Sequence, residues 1–514
     1  MAVVVTSIGL KGIEGYKVSV EVELLDGVES MTIVGLPGAA VKESRERVLA
    51  ALKGFQCDFS DQKVIVYLSP AEERKVGPLF DVAIAVAMLK SNGYLKKEIA
   101  KDTAFIGSLS LDGSIHRVKG MLPAIISAKR LGITKLFIPH DCSFPIQNLE
   151  GIELIYVEHL KDVLDYLSGQ PVLPLLPRET PPLLKSTYFE GKDFQYIIGH
   201  QHAKRALEIA AAGCHNVLMS GPPGCGKSLL AESFSSILPP LLPEFQLENM
   251  SLYELADSQT PTYSRPPFRN PHHSASAVSI IGGGSSPKPG EVSLANHGTL
   301  FLDEMAEFPK RTLDMLRQPL ETGQVTISRA NGTVTYPAKF ILVAAMNPCP
   351  CGYNGSKTHY CTCSPKNIQA YQNRISGPIE DRIDILINLQ SVKLNPEQQE
   401  LNETSESIRK RVEDARERQY YRYGKPIYNG NVSIERFFSR VKFSDSQQVM
   451  LQKRSQNANW SNRVQVKMMR LARTISDLKG EEDVSDEAVW EAMTLRRTFL
   501  HQVTKQKGSW MHGS

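Results

Sequence analysis

A glycine-rich octapeptide, GPPGCGKS at 221–228, lies between the apolar stretch NVLMS and the amphipathic stretch LLAESFSSIL. A strand, a loop and a helix with the spacing G-x-x-x-x-G-K-[ST] form the pattern of a phosphate-binding loop. Glycines let backbone N–H groups wrap phosphates at a helix N-terminus. We expect Lys227 to neutralise the β- and γ-phosphates and Ser228 to bind Mg²⁺. The residues expected to contact ATP are Gly221, Pro222, Pro223, Gly224, Cys225, Gly226, Lys227, Ser228 and Leu229.

Two acidic residues end a second apolar stretch, GTLFLDE at 298–304. On a buried parallel strand they would reach the C-terminal edge of the sheet, where α/β folds bind ligands. We expect Asp303 to hold Mg²⁺ through water and Glu304 to orient and polarise the attacking water. A third stretch, AKFILVAAMN, ends in Asn347, which is placed to sense the γ-phosphate.

Four of the eight cysteines lie within NPCPCGYNGSKTHYCTCSP at 347–365. Their spacing, C-x-C-x9-C-x-C, sets two close pairs on either side of a turn, so that all four can converge on one ion. Four thiolates suit zinc in a closed structural site. A disulfide pair and a redox loop without metal are the alternatives, and His359 is close enough to replace one thiolate. The predicted zinc ligands are Cys349, Cys351, Cys361 and Cys363.

The rest of the chain supplies the elements that must position these groups. Residues 1–170 alternate short apolar runs with amphipathic segments, which indicates a mixed α/β domain. Five prolines in 171–188 predict a linker. A second α/β block spans 189–394, and a charged segment of helical period spans 395–507.

The composition sets few limits on partners. A net charge of +4 over 514 residues is too small to indicate a nucleic-acid partner without local clusters. The longest apolar run, at 82–89, is far short of a bilayer span, and the N-terminus lacks the features of a signal peptide. The scattered remaining cysteines show no disulfide framework. We therefore expect a cytoplasmic protein with no membrane contact.

Several motifs together resemble one family. The order IIGHQHAKRALEIAAAG, phosphate-binding loop, LFLDE, strand ending in Asn and RISGPIEDRIDI is similar to AAA+ ATPases of the magnesium-chelatase-related branch, which includes the MCM motors. FRNPHHSAS, GEVSLANHGTLFLDE and NPCPCGY resemble the ComM/YifB competence-associated proteins within that branch. The resemblance covers nearly the whole chain. It implies an α/β AAA+ domain, with a parallel sheet between helices, followed by a helical lid.

The resemblance also implies roles for arginines. Arg382 in IEDRIDI matches the arginine finger that reaches a neighbouring subunit's nucleotide, and Arg463 in WSNRVQVKMMRL matches the sensor-2 arginine of the lid. Arg374 is a second candidate for the role in trans. A salt bridge to Asp381 or Asp384 is the alternative for Arg382, and a surface position on a lid helix is the alternative for Arg463.

Two insertions could touch DNA. One contains YSRPPFRNPHHSASAVSIIGGGSSPKPGEV, and the other, at 321–340, has the alternation and turn of a β-hairpin. In the resembled branch these are the helix-2 insert and the pre-sensor hairpin, which point into a central pore; contact between subunits is the alternative. A metal pair at His272 and His273 is disfavoured, because adjacent residues on extended backbone point to opposite sides. The DNA-contact candidates are Arg265, Arg269, Lys288 and Arg329, and the basic segment 408–425 either binds DNA or is a solvated helix face.

The N-terminal domain tests a rival function. IGSLSLDGSIHRVKGMLPAIISAKRLG at 106–132 and VGPLFDVAIAVAML before it resemble the peptidase domain of Lon proteases. A Ser–Lys dyad would need a serine after Gly77-Pro78 and a lysine in the later helix. This chain has Leu79 and Leu122 there, and residues 76–90 contain no serine, which disfavours an ATP-dependent peptidase.

The function that these features favour is a homo-oligomeric ring of six subunits that uses ATP to move DNA. By resemblance it would be a helicase that drives branch migration on single-stranded, double-stranded and branched DNA, during homologous recombination in natural transformation. A chelatase-like motor that remodels a protein partner is the alternative. A regulatory ATPase without motor activity is disfavoured while Glu304 and Arg382 are both present.

Overall fold

The computed structural model describes residues 3–496, with gaps at 56, 58, 60, 142–143, 145–150, 172–174, 176–191, 259–263, 285, 330–331, 357–358, 393–401 and 459. Most of the predicted linker and the last residues of the predicted lid therefore lie outside the described residues. None of the helices in the described part of the chain is both long and apolar enough to cross a membrane.

Contacts within the chain divide it into two compact units. Unit 1 holds residues 1–185 together with 246–263 and 326–336, and unit 2 holds the remainder. Two short segments from the middle of the sequence thus belong to the unit that the N-terminal residues form. Composition and proline content predict a boundary near residue 170 but contain no signal for these two segments.

Unit 1 is a mixed α/β layer structure. Its N-terminal elements are β1 (Val3–Lys11), β2 (Glu14–Asp26), β3 (Ser30–Val34), α1 (Ala39–Lys53), β4 (Gln62–Ser69), α2 (Asp81–Ser91), β5 (Thr103–Phe105), β6 (Ser108–Leu109), β7 (Ile115–His116), α3 (Met121–Arg130), β8 (Lys135–Pro139), β9 (Glu153–Val157) and α4 (Leu160–Ser168). Seven strands form one sheet in the order β3-β4-β2-β1-β5-β8-β9. Strand β2 is antiparallel to its two neighbours, β1 and β4. Strands β1, β5, β8 and β9 are parallel to one another.

The strands and the buried helix of unit 1 differ in their burial patterns: burial alternates along a strand and is continuous along the helix. In β4 every second residue, from Val64 through Val66 to Leu68, is buried, as expected for a strand with one face on the core. Helix α2 is apolar on all sides, and all its residues from Asp81 to Leu89 are buried. The run that was too short for a membrane span is therefore a core helix.

Unit 2 contains the parallel sheet. Its elements, with those shared with unit 1, are α5 (Gln201–Gly213), β10 (Val217–Ser220), α6 (Lys227–Phe234), α7 (Pro243–Ala256), β11 (Phe268–Arg269), α8 (Ala277–Ile281), β12 (Gly282–Gly283), β13 (Lys288–Pro289), α9 (Glu291–Leu294), β14 (Thr299–Leu302), α10 (Lys310–Met315), α11 (Arg317–Thr322), β15 (Gln324–Arg329), β16 (Gly332–Pro337), β17 (Ile341–Met346), α12 (Pro365–Gln372), α13 (Gly377–Glu380), β18 (Ile385–Asn388), α14 (Ser405–Tyr423), α15 (Ile434–Arg440), α16 (Asp445–Ala458), α17 (Asn462–Lys479) and α18 (Asp486–Thr494). Short 3-10 turns lie at 194–196, 235–237 and 305–307.

The order of the parallel strands brings three loops together. The sheet runs β11-β14-β17-β10-β18, so β17 lies between β14 and β10. Pairing is parallel throughout, with Ser220 opposite Met346 and Leu302 opposite Ala344. The loops that follow these three strands therefore leave one edge of the sheet side by side.

The predicted hairpin is confirmed, and with α7 it contributes to unit 1. Strands β15 and β16 form a two-stranded sheet. A Cβ on Gly12 of unit 1 would lie 2.6 Å from the Val334 side chain, so β16 packs closely on the β1–β2 turn. From α7, Met250 joins the apolar core of unit 1, and Glu254 accepts a hydrogen bond from the Leu122 N–H (3.1 Å).

The C-terminal helices are held by buried ion pairs within unit 2. Asp477 in α17 is fully buried and binds the guanidinium groups of Arg422 and Arg473. Lys467 in α17 lies 2.9 Å from Asp384, which also accepts the Asn216 N–H at 2.7 Å. Burial is the largest single influence and acts to raise the pKa of Asp384, but the Lys467 ammonium, His215 and the Asn216 N–H together hold that pKa below its ordinary value.

Candidate functional site

The phosphate-binding loop follows β10 and ends at the first turn of α6. Gly224 and Gly226 have φ of +74° and +89°, a left-handed conformation that favours glycine. Gly221 is needed for space, because a Cβ there would lie 2.7 Å from the Cys225 sulfur. Gly226 caps α6, so the first N–H groups of the helix face the loop, as an anion site requires.

Lys227 directs its ammonium group into this loop. The Nζ atom donates to the carbonyl oxygens of Gly221 (2.7 Å) and Pro222 (3.0 Å) and to Oδ1 of Asn347 (3.1 Å). Burial lowers the pKa of Lys227, although the acidic groups nearby act in the opposite direction. A buried ammonium beside free helix N–H groups is a site for a phosphate. The structure brings Asn347 and Lys227 into hydrogen-bond contact, and their roles at the γ-phosphate stay a prediction.

The two residues predicted to bind Mg²⁺ are adjacent. The Ser228 hydroxyl donates to Oδ2 of Asp303 at 2.8 Å, and Asp303 follows β14 directly. A hydroxyl and a carboxylate oxygen at this separation are the hard ligands that Mg²⁺ takes beside substrate phosphates. These residues fit the ion and the nucleotide.

Glu304 has an unusual backbone. Its φ is +49°, in the left-handed region that residues other than glycine seldom adopt. Such strain occurs most often at functional sites. The carboxylate is exposed, and Oε2 lies 3.4 Å from Nδ1 of His273. The position after the Asp therefore presents its side chain to solvent beside a histidine from the insertion.

The expectation that His272 and His273 point to opposite sides is wrong. Their ring centroids are 4.1 Å apart. The reason is that the backbone turns at residues 273–274 and is not extended there. His272 bonds the Ser274 hydroxyl (2.7 Å), whereas His273 faces Glu304. The two rings thus have separate partners.

The four clustered cysteines converge. Their sulfur atoms all lie within 4.8 Å of one another, and Cys349 is 3.3 Å from Cys351 and 3.7 Å from Cys361. Four sulfurs about 2.3 Å from one zinc ion would be about 3.8 Å apart in a tetrahedron. A disulfide would need about 2.05 Å, which none of these distances approaches. The donor set and its spacing fit zinc.

Backbone groups support the sulfurs. The Asn354 N–H donates to the Cys349 sulfur at 3.3 Å, and the Tyr353 N–H lowers the pKa of Cys351. The His359 ring stacks on Tyr353 with centroids 4.7 Å apart. The four thiols converge without His359, so the cluster does not need it as a ligand.

Arg382, predicted to act in trans, and Arg463, predicted to be the sensor-2 arginine, share one carboxylate. Arg382 donates to Oε2 of Glu321 (2.5 Å) and to the Pro378 carbonyl (2.7 Å), and Arg463 donates to Oε1 of Glu321. The alternative partners proposed for Arg382, Asp381 and Asp384, are not used. The Arg382 guanidinium first, and then Arg463, lower the pKa of Glu321.

Arg374 has a different environment. Its Nη1 atom donates to the Ala306 carbonyl (3.0 Å) and to Glu307 (2.8 Å). Both acceptors belong to the short turn that follows Glu304. Arg374 therefore braces the acidic turn of its own chain.

The comparisons with known proteins agree with this geometry. Residues 193–397 match the family model for magnesium chelatase, subunit ChlI, residues 20–142 match subunit ChlI of Mg-chelatase, and residues 402–496 match its C-terminal region. Competence protein ComM of Haemophilus influenzae is 39% identical over 494 residues, which cover 94% of this chain and 95% of that protein. The chain belongs to the ComM/YifB family of magnesium-chelatase-like AAA+ proteins.

Other relatives extend the comparison. YifB of Salmonella typhimurium is 35% identical over 98% of both chains, and YifB of Escherichia coli is 34% identical over 504 residues. A Lon protease of Clostridioides difficile is 25% identical over 163 residues, 29% of this chain and 20% of that protein. In this ComM/YifB chain Leu79 and Leu122 are 1% and 0% exposed, so apolar core occupies both dyad positions.

The four DNA-contact candidates differ in their surroundings. Arg269 forms a bidentate salt bridge with Glu291 (2.6 and 2.7 Å), and Arg265 is half-buried. Lys288 in β13 and Arg329 at the end of β15 are exposed. Exposure makes the last two the better candidates for a phosphate contact.

The basic segment 408–425 has a buried side and an exposed side, and whether the exposed side binds DNA stays a prediction. It lies largely in α14, where Arg416 is buried and donates to the Ala211 carbonyl at 2.7 and 3.0 Å. Arg411 pairs with Glu208, and Arg422 pairs with Asp477. These arginines therefore stabilise unit 2 from within.

Three residues near the site were missed by sequence reasoning. His200 lies 3.7 Å from the place where a Cβ on Gly226 would be, and burial lowers its pKa. His273 faces Glu304, and Glu321 binds both Arg382 and Arg463. The motif PHHS drew attention to His273 as a metal ligand only, and the other two carry no local signal.

Proposed function

We propose that this protein is a ring-forming, ATP-driven DNA motor that promotes branch migration in homologous recombination during natural transformation. The observation that carries the proposal is the assembled nucleotide site at the sheet edge, in a chain that is 39% identical to a competence protein along nearly its whole length. The family makes the chain an AAA+ ATPase; the action on DNA is the proposed part.

Groups from the loops at the sheet edge would serve the hydrolysis step. Bound ATP–Mg²⁺ supplies the phosphoryl group and the charge neutralisation that lets its transfer proceed. Lys227 and the N–H groups of α6 would hold the phosphates, and Ser228 with Asp303 would hold the ion. Glu304 would take up the proton of a water molecule, and Asn347 would orient that water from the neighbouring strand.

The surroundings of Arg382 support the proposal of a ring. It donates hydrogen bonds to Pro378, Arg317 and Glu321, none of them in the phosphate-binding loop. An arginine that completes a nucleotide site from a neighbouring subunit makes hydrolysis depend on assembly. We propose a homo-hexamer in which Arg382, with Arg463 beside it on Glu321, serves the next subunit.

The proposed grip on DNA is electrostatic. Exposed Lys288 and Arg329 lie on the two insertions of the AAA+ domain and would contact phosphates, which position a strand without reading its sequence. Single-stranded, double-stranded and branched DNA all present such phosphates. Binding that rests on these contacts should weaken steeply as salt rises.

Zinc is the cofactor that we propose for Cys349, Cys351, Cys361 and Cys363. The sulfur separations support it, and a reducing cytoplasm would keep the thiols available. Purified protein should carry about one zinc per chain. Full zinc content in a Cys361→Ser/Cys363→Ser variant would refute the site.

A junction-unwinding assay tests the motor. A fluorescently labelled four-way junction is incubated with the protein and ATP, beside Lys227→Ala and Glu304→Gln variants. We expect strand separation with the wild-type protein only, and ATP hydrolysis that DNA stimulates. If DNA neither stimulates hydrolysis nor is remodelled, the proposal fails and a protein substrate, as for a chelatase-like motor, becomes the better hypothesis.

A further inference from the structure

The cysteine cluster lies directly against the phosphate-binding loop. Gly352, one residue after Cys351, is so close to Pro223 that a Cβ on Gly352 would lie 2.7 Å from the Pro223 ring and 3.9 Å from the Asn347 amide carbon. Its φ is +84°, so the backbone also favours glycine. The cysteine cluster and the phosphate-binding loop therefore share a packed contact.

The loop that carries the cluster is joined at its start to the nucleotide site and at its end to helix α12. At its start, Asn347 contacts Lys227, and the Pro348 carbonyl accepts a hydrogen bond from Gln372 (3.2 Å). At its end, Cys363 precedes Ser364, which caps helix α12. Four bound thiolates would thus join the end of β17 to the start of α12, with Gly352 inside the joined segment.

The described residues of the segment between β17 and α12 form turns, without helix or strand. Loops without regular structure hold a position weakly unless a cross-link removes their freedom, and metal binding supplies such a cross-link. Without metal, the position of Gly352 against Pro223 would depend on turn hydrogen bonds, such as that from the Gly352 N–H to the Cys349 carbonyl (2.9 Å).

We infer that metal in the Cys349–Cys351–Cys361–Cys363 cluster positions the phosphate-binding loop through Gly352, so that nucleotide affinity depends on the metal. The inference rests on the proposed zinc site and not on any action on DNA. Gly352 is a positioning residue, since it acts on the loop through Pro223. Loss of the metal, or of the close contact, should weaken nucleotide binding while leaving the fold of unit 2 intact.

Two glycines of the same loop allow a matched test. Gly352→Ala adds a methyl group that collides with Pro223, whereas Gly355→Ala, at φ +78°, adds one with nothing within 4 Å. Both substitutions strain the backbone alike, so only the contact differs. The full-length variants and the Cys361→Ser/Cys363→Ser variant are assayed without DNA for zinc content by atomic emission and for affinity to a fluorescent ADP analogue with Mg²⁺.

We expect Gly352→Ala to retain its zinc and bind the analogue about tenfold more weakly, and Gly355→Ala to match wild type. The double cysteine variant should lack zinc and bind as weakly as Gly352→Ala, and a zinc-selective chelator should weaken wild type reversibly. Unchanged affinity in the zinc-free protein, or equal losses in the two glycine variants, would overturn the inference. Because DNA is absent, a failure of junction unwinding leaves this result standing, and the reverse also holds.

Discussion

Two charged sites, one in each unit, are built in opposite ways. In unit 1, Asp81 is fully buried, and its carboxylate accepts from Arg47 (2.8 Å) and the Leu109 N–H (3.2 Å). In unit 2, Lys227, Asp303 and Asn347 meet at an open sheet edge, where their partners are loop carbonyls and one another. Closed pairs of the first kind add stability, whereas convergent groups with replaceable partners can bind a ligand.

Unit 1 shows the same difference at the two positions where a Lon-type peptidase would carry its catalytic dyad. Leu79 and Leu122 occupy the positions where a nucleophile and its base would stand, and both are core. The positions that could have carried chemistry in unit 1 are thus filled by apolar packing. Unit 2 keeps polar groups at the edge of its parallel sheet, where Glu304 holds a strained left-handed backbone conformation.

The largest expected effect is at Glu304. Glu304→Gln should lower the rate of ATP hydrolysis by roughly 10²–10⁴-fold, because an amide cannot accept the proton of the attacking water. Nucleotide affinity and the unfolding midpoint should stay near wild type. Glu487→Gln, on the exposed surface of the lid, is the control in a steady-state ATPase assay. A Glu304→Gln enzyme that still hydrolyses ATP at the wild-type rate would show that Glu304 does not accept the proton of the attacking water.

Arg47 tests the closed pair of unit 1. Arg47→Met should lower the free energy of unfolding by about 3–5 kcal/mol, because it leaves the Asp81 carboxylate buried without its cation. Urea unfolding followed by circular dichroism measures the loss, and nucleotide affinity should not change. The matched control is Arg45→Met, since Arg45 pairs with Glu46 on the surface. Equal stability in the two variants would show that the pair is not needed.

Leu122 tests the filled dyad position. Leu122→Ala should lower the free energy of unfolding by about 2–5 kcal/mol through a cavity in the core. Leu111→Ala, at a residue that is 64% exposed, should have little effect in the same urea titration. A stable Leu122→Ala protein would mean that this position is loosely packed and still open to other chemistry.

The Asp384–Lys467 pair predicts a pH dependence. An aspartate has a pKa near about 3.9 in an unfolded chain, and that of Asp384 is lower in the folded one. The pair therefore stabilises the fold above about pH 4, and this contribution is lost as the pH falls through the folded value, at about 1.4 kcal/mol per unit of pKa difference.

The variant Asp384→Asn isolates that term. It should be less stable than wild type at neutral pH, and its stability should fall less between pH 5 and pH 2 in urea titrations. Parallel pH profiles for the two proteins would contradict the prediction. Asp314→Asn, at a half-exposed aspartate, controls for the loss of one carboxylate.

The smallest expected effect is at His273. His273→Ala should lower the hydrolysis rate by about two- to fivefold, because Glu304 loses a partly exposed partner that orders it. His272→Ala, which removes the neighbouring ring without touching Glu304, should leave the rate unchanged. An equal fall in both variants would assign the effect to the turn and not to the contact.

Local pattern was enough for several features. The strand–loop–helix around the phosphate-binding loop and the hairpin at β15–β16 were predicted, because each depends on periodicity and on the placement of glycine and turn residues. The same reasoning failed at His272–His273, where the backbone turns and is not extended. It also gave no sign of the hydrogen bond between Lys227 and Asn347 or of the burial of Arg416.

Residue types and spacing by themselves determined the chemistry of this protein: a phosphate loop, an acidic pair on a buried strand and four thiols at metal-binding intervals. Tertiary structure alone decided which of them touch. It placed Gly352 on Pro223, set His273 beside Glu304, gave Arg382 and Arg463 one shared carboxylate and assigned two middle segments to unit 1. These contacts join residues up to 142 positions apart, and no local propensity encodes a contact that only the packing of distant elements creates.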